Sequence, residues 1–353
     1  MENQSVYQKL AKKLDSEVVI GAPMSPSLIE ILKVLFTGEE ADIALNLPFA
    51  HLSLSDLKKK FPEKSDALED ILKRMAQRGT VYTETQPGKE AVYSLLPTVV
   101  GFAETPFWSG KENEDTRKLS PLWLQYRKEA FGEELARGIP AVRVVPIAQS
   151  LKDSSQVLPF DQIKDKLEKT SFLSVAHCPC RQMMRQTGKG CDHSTENCLH
   201  FGTMGQYMVK HGMAREITQS EALDVLNKAD DEGLVHICDN MEGHLSTICN
   251  CCSCCCVFLS TKSQLGLQTY STSNYVSSVD EDLCVGCGTC EDRCPVGAIS
   301  LGGNGFSSVN PQLCIGCGVC APTCDSEAIG LIQRENVTPP PSPEALLMAR
   351  YKP

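Results

Sequence analysis

Leu28, Ile31, Leu32, Leu35 and Phe36 recur at i, i+3, i+4, i+7 and i+8 after a Ser25-Pro26 start, a spacing that predicts an amphipathic helix with the proline in its first turn. A second, short helix is expected after Ser55 in SLSDLKKKF. A third spans about 66–77, with Leu68, Ile71, Leu72 and Met75 inward. The period then drops from helical to alternating, so TVYTE, the turn TQPGKE and AVYSLL read as a hairpin. Farther on, SPLWLQYRKEAFGEELAR reads as a helix with Pro121 at its first turn and Trp123, Tyr126, Ala130 and Phe131 on its apolar side. IPAVRVVPI and FLSVAH read as strands, the second delivering His177 and Cys178 to its end. ITQSEALDVLNKADDEGLV sets Thr218 and Glu221 at capping-box spacing, aligns Ala222, Leu223, Leu226 and Ala229, and stops at Gly233. In the tail, VTPPPSPEALLMARYKP, prolines stiffen an exposed arm and EALLMAR supplies one or two helical turns; disorder and docking to a partner are both open.

Three helices followed by a two-stranded wing resemble a winged helix over about 20–100. That fold often binds DNA, but the charge argues otherwise. Residues 1–100 carry 12 Lys and Arg against 14 Asp and Glu, and the would-be reading helix holds Asp66, Glu69 and Asp70. Lys58, Lys59 and Lys60 read as a solvated face, and a docking or structural role is expected. The whole chain has a formal net charge of -10, which disfavours general nucleic-acid affinity.

The 353 residues allow two or three domains. The first segment, MENQSVYQKLAKKLDSEVV, lacks the apolar core of a signal peptide. The strand-like runs LLPTVVGF and CCCVFL are far shorter than the roughly 18 to 20 residues of a membrane helix. A soluble, cytoplasmic protein without membrane insertion is therefore expected. All nineteen cysteines fall between Cys178 and Cys324. In a reducing compartment, cysteines at short fixed spacings point to metal ligands or redox groups rather than bridges.

Residues 280–300, DEDLCVGCGTCEDRCPVGAIS, return thirty positions later as NPQLCIGCGVCAPTCDSEAIG, and both copies read C-x2-C-x2-C-x3-C. Over about 275–335 the pattern resembles the bacterial two-cluster ferredoxin. The resemblance implies one [4Fe-4S] cluster on Cys284, Cys287, Cys290 and Cys324, and a second on Cys314, Cys317, Cys320 and Cys294. Gly286, Gly288, Gly316 and Gly318 suit a backbone curling closely around an inorganic core. Pro295 follows the first run as the family expects; Asp325 follows the second, and a carboxylate there is expected to lower one cluster's potential. Two structural zinc sites are the alternative that a duplicated four-cysteine run disfavours.

A second field precedes the repeat: HCPCRQMMRQTGKGCDHSTENCLHFG from His177, then CNCCSCCC at 249–256, with six cysteines in eight positions. Eleven cysteines are available here: Cys178, Cys180, Cys191, Cys198, Cys238, Cys249, Cys251, Cys252, Cys254, Cys255 and Cys256. In extended backbone neighbours face opposite ways, so Cys251 and Cys252, or Cys254 and Cys255, are expected to serve different centres. The candidate ligands are Cys178, Cys180, Cys191, Cys198, Cys251, Cys252, Cys254 and Cys255. Two further [4Fe-4S] clusters, one cluster with spare thiols, a zinc or mixed site, and a thiol-based or open-iron catalytic centre all remain open. The CxCR opening and CNCCxCCC close resemble a middle domain in multi-cluster ferredoxin-like proteins of anaerobic bacteria, which implies cluster binding without a defined activity. His177, His193 and His200 read as surface or hydrogen-bonding residues, with a ligand or proton-carrier role as the alternative. Arg181 is placed to offset a cluster's negative charge. Met183, Met184, Met204, Met208 and Met213 read as packing.

No dinucleotide fingerprint, P-loop or radical-SAM cysteine run occurs. The expectation is an α+β multidomain protein: a winged-helix-like domain at 1–105, a cysteine-rich α/β middle domain at 106–270, a βαββαβ-like two-cluster ferredoxin domain at 271–335 and a Pro-rich tail at 336–353. It reads as an electron carrier, or a subunit passing single electrons to a partner oxidoreductase in anaerobic metabolism. The alternatives are a redox-sensing transcriptional regulator and a reductase with its active site at CNCCSCCC.

Overall fold

The computed structural model describes residues 4–16, 18–147, 150–151, 167, 170–242, 245–334 and 337–351. It is a mixed α/β molecule with several sheets. The chain forms two compact units woven from alternating segments: one from 1–135, 176–191 and 203–216, the other from 136–175, 192–202 and 217–353.

In the first unit the expected helices lie at Pro26–Leu35, Leu54–Lys60 and Leu68–Gln77. Two more, Val6–Leu14 and Gly38–Asn46, were not read from periodicity; both carry capping boxes, Ser5 with Gln8 and Thr37 with Glu40. Val81–Glu84 and Val92–Leu95 pair antiparallel, and Leu52–Ser53 adds a third strand beside Val92–Leu95. The run LLPTVVGF is not one strand, because pairing ends at Leu95 and Pro97 cannot donate to a ladder. Leu68, Ile71, Leu72, Met75 and Ala76 line the buried face of their helix, while Glu69 pairs with Lys73 at 2.8 Å outside.

The connector helix begins earlier than expected. It spans Glu114–Tyr126 behind an Asn113 cap that Thr116 reciprocates, so Pro121 sits inside the helix rather than in its first turn. Trp123, Tyr126 and Phe131 do form one aromatic cluster, with ring centroids 5.2 to 5.8 Å apart. Ser120 Oγ donates to Gln186 Oε1 at 2.8 Å, tying this helix to Pro179–Gln186.

The second unit is built on antiparallel strands in the order Val142–Val145, Val235–Asp239, Thr247–Cys251 and Glu196–Phe201. Val144 lies opposite Ile237, His236 opposite Asn250 and Leu199 opposite Ile248. The Gln219–Asp231 helix starts at the expected Thr218–Glu221 box and buries Ala222 and Leu226 against Val145, Leu199, Cys238 and Ile248. CCCVFL is not strand-like: the chain turns after Cys251, and Val257 opens a helix to Leu265 that Gly266 ends at φ +72°.

Residues 275–333 form two small antiparallel pairs, Tyr275–Val279 with Ile329–Gln333 and Ile299–Leu301 with Ser307–Val309. One short helix, Thr289–Arg293, follows the first cysteine loop. The second helix of a βαββαβ pattern is replaced by turns at 319–326, where Pro322 removes an amide donor. The tail ends in a helix, Pro343–Tyr351, packed on this unit: Leu346 is buried and Arg350 Nη1 donates to Ile139 O at 2.9 Å.

Candidate metal centres

In the first copy of the repeat, Gly286 and Gly288 take φ +68° and +79°, bending the chain so that three sulfurs face inward. Cys284, Cys287 and Cys290 line one cavity, and the fourth cysteine on its wall is Cys324, from the other copy. Val279, Ala328 and Ile329 supply the apolar wall. Hydroxyls stand beside the sulfurs: Ser307 Oγ at 3.2 Å from Cys290 Sγ, Thr289 Oγ1 at 3.4 Å from Cys287 and Ser326 Oγ at 3.5 Å from Cys324. The backbone amides of Ser307 and Gly286 hold the Cys284 thiol below its ordinary range, and Thr289 does the same for Cys287. Donors aimed at sulfur stabilise thiolate, the form that binds iron. The Asp325 carboxylate acts on Cys287 in the opposite sense.

The second copy is buried. Burial pushes the Cys317 thiol well up, with further contributions from Cys320, Cys294 and Cys314. Cys320 is pushed up to about 11, by burial first and then by Cys314 and Cys294, against a hydrogen bond with Ser277. Cys294 therefore keeps company with the second copy. Ser277 N donates to Cys314 Sγ at 3.4 Å, Ser277 Oγ lies 3.3 Å from Cys320 Sγ, and Ala298 N donates to Cys294 Sγ at 3.1 Å. Burial makes the Cys317 and Cys320 thiols resist ionisation, and a bound metal reverses that preference by displacing the protons.

The middle cysteines do not sort by simple alternation. Residues 253–255 form a turn, which brings Cys252, Cys254 and Cys255 together with their sulfurs within 4.8 Å of one another; Cys254 and Cys255 Sγ are 3.7 Å apart. The expectation that Cys254 and Cys255 face different centres holds only for extended backbone, and is corrected here. Cys251 belongs elsewhere: its buried thiol is hydrogen-bonded with those of Cys249 and Cys256, which, together with burial, push it well up. The six cysteines thus form two triads. Cys249 and Cys256 were absent from the expected ligands, although Cys249 and Cys251 at i and i+2 on a strand carried the signal.

Cys178 caps the Pro179–Gln186 helix, its thiol raised by a hydrogen bond with Cys180 and by burial, while the fully buried Arg181 opposes the rise. Cys191 is half-buried, and its carbonyl accepts from Arg185 Nε and Nη2 at 3.0 and 2.9 Å. Cys198 is buried, with Sγ 3.2 Å from His200 Nε2. Cys238 packs in the apolar core. Of the flanking histidines, His193 lies 3.4 Å from the Glu232 carboxylate, the His177 amide donates to Trp108 O at 2.9 Å, and burial lowers His200 to about 4.

Arg293 braces the cysteine repeat against the C-terminal end of the Gln219–Asp231 helix. Its Nε donates to Val319 O at 2.9 Å inside the second cysteine loop, Nη1 donates to Asp231 O at 3.1 Å, and Nη2 to Asp230 O. The Asp230 carboxylate lies 2.8 Å from His236 Nε2, and His236 Nδ1 lies 2.7 Å from Asn250 Oδ1, between Cys249 and Cys251 in sequence. Arg293→Ala removes three charge-assisted bonds. It is expected to lower the melting temperature under argon and to cost roughly 2 to 3 kcal/mol. A shift within error would show the brace to be idle.

Residues 278–300 match the family model described as the 4Fe-4S binding domain. The chain carries an iron-sulfur ferredoxin-type domain. The match spans the whole first cysteine run, Cys284 to Cys294. No curated protein and no solved structure matches the chain. Among the described residues, no helix is long and apolar enough to cross a membrane.

Proposed function

We propose that the chain is a multi-cluster electron-transfer protein: a carrier or subunit that passes single electrons through [4Fe-4S] clusters to a partner oxidoreductase in anaerobic metabolism. The observation that carries this is the crossed grouping of the repeat, Cys324 with the first run and Cys294 with the second. Bound clusters supply one-electron chemistry; the chain's residues fix their burial, charge and hydrogen bonding. A further centre is assigned to Cys252, Cys254 and Cys255. Replacing Cys252 and Cys255 together with serine is expected to remove about four iron and four sulfide per chain while leaving the ferredoxin pair reducible. Unchanged iron content would rule out this ligand set.

The first ferredoxin cluster is the port. Cys287 is exposed and Val285 is 74 % exposed, whereas Cys314, Cys317 and Cys320 are buried. Around that rim the exposed charges Asp280, Glu281, Asp282, Asp325 and Glu327 are all acidic. The two arginines described in this portion, Arg293 and Arg334, are committed to backbone carbonyls. The fitting partner presents a redox group within a basic rim. Electron delivery to hexaamminecobalt(III), a cation, is expected to slow as salt rises and to slow again in Asp282→Lys, while delivery to ferric EDTA, an anion, moves the opposite way. Equal salt responses for the two acceptors would contradict an acidic port.

The winged-helix-like arrangement is assigned to protein docking rather than DNA reading. Glu69 and Asp70 in the first turn of Leu68–Gln77 balance Lys73 and Arg74, and Lys73 is engaged by Glu69, so this helix carries no net positive charge for reading DNA.

A further inference from the structure

We infer that Cys249, Cys251 and Cys256, with Cys198, hold an additional redox-active [4Fe-4S] cluster beside the second ferredoxin centre. This rests on the electron-transfer reading above and gives it a further, separate site. Strand alternation places Cys249 and Cys251 on one face, and the turn at 253–255 returns the chain so that Cys256 meets Cys251. On the neighbouring strand His200 lies opposite Thr247 and Leu199 opposite Ile248, so the next pair in that register is Cys198 with Cys249, on the face that carries His200. Four sulfurs from three segments thus converge on one side of the sheet.

His200 completes the surroundings. Its Nε2 lies 3.2 Å from Cys198 Sγ and its Nδ1 3.2 Å from Thr247 Oγ1. A neutral imidazole there donates its one N–H to sulfur and accepts from the threonine hydroxyl, the kind of contact that orients a ligand and tunes a centre.

Four thiolates suit zinc as well as iron. Position decides for a redox centre. Thr269 Oγ1 donates to Phe258 O at 2.6 Å, just beyond Cys256, and Ser273 Oγ donates to Gly316 O at 2.7 Å in the second ferredoxin loop. Between these anchors the buried Tyr270 feels both Cys256 and Cys317 electrostatically. One electron leaving the reduced ferredoxin cluster reduces this cluster by one; no bond forms or breaks and no proton is required. An outside one-electron donor and acceptor complete the circuit.

Cys249→Ser and Cys256→Ser are to be purified without oxygen and assayed for iron, sulfide and zinc, with electron paramagnetic resonance of the reduced protein. Each is expected to lose about four iron and four sulfide, together with one set of cluster signals, while Cys238→Ser, in the apolar core, loses none. Native mass spectrometry of the unaltered chain counts clusters without relying on a variant's folding. Unchanged iron in both variants, or loss of one zinc instead, would overturn the site. Should the site fail alone, the ferredoxin signals still appear on reduction; should the electron-transfer reading fail, no cluster accepts an electron.

Discussion

Serine at Cys324 is expected to abolish the exposed cluster, whose other three ligands lie more than thirty residues upstream, and to leave the buried one intact. The cavity wall dictates this, because Cys324 joins Cys284, Cys287 and Cys290 there. The reciprocal variant, Cys294→Ser, removes the buried cluster of Cys314, Cys317 and Cys320. Each change costs about four iron and four sulfide. The two variants differ in which signal survives: the survivor in Cys294→Ser responds to solvent-borne relaxing agents, and the survivor in Cys324→Ser is shielded. The opposite pattern would mean that each cysteine run closes its own cube.

The second large effect comes from backbone rather than ligands. Gly316 has φ +67°, and a Cβ there meets Ser273 Oγ at 2.1 Å and Tyr275 O at 2.2 Å. Gly288, at φ +79°, has nothing within 4 Å. Left-handed backbone costs a side chain about 1 to 2 kcal/mol at either position, and overpacking adds roughly 1 to 3 kcal/mol at Gly316 alone. Gly316→Ala is expected to lose the buried cluster and melt well below the parent; Gly288→Ala keeps both clusters with a small shift. Thermal unfolding under argon with iron analysis reads both. Equal shifts would show that the close approach at Gly316 relaxes freely.

The repeat made its candidate ligands legible because cluster chemistry constrains sequence spacing over a few residues, and Cys284 to Cys294 and Cys314 to Cys324 keep that spacing. Crossing of the fourth ligand came with the family resemblance; the structure adds which cavity each sulfur faces. Exposure was not legible. Nothing local distinguishes Cys287 from Cys317, whose burial is set by the sheet and helix packed around the second loop. The middle field failed at one point for a geometric reason: alternation was extended through Ser253, where the chain turns. Helices were found where apolar faces repeat, as at Leu28 to Leu35. Where caps carried the signal, the helix at Thr37–Glu40 was missed and the start of the connector helix at Asn113–Thr116 was placed too late. Pro121 misled because a proline favours a first turn yet is tolerated within a helix that packing holds in place.

The central claim is that four iron-sulfur clusters share this chain. Iron, acid-labile sulfide and zinc per chain, measured together on protein purified without oxygen, test it most directly. About 16 iron and 16 sulfide with no zinc is the expected result, two cubes on the repeat and two on the triads of 249–256. About 8 of each, with zinc or free thiols making up the rest, would confine clusters to the repeat and contradict the account.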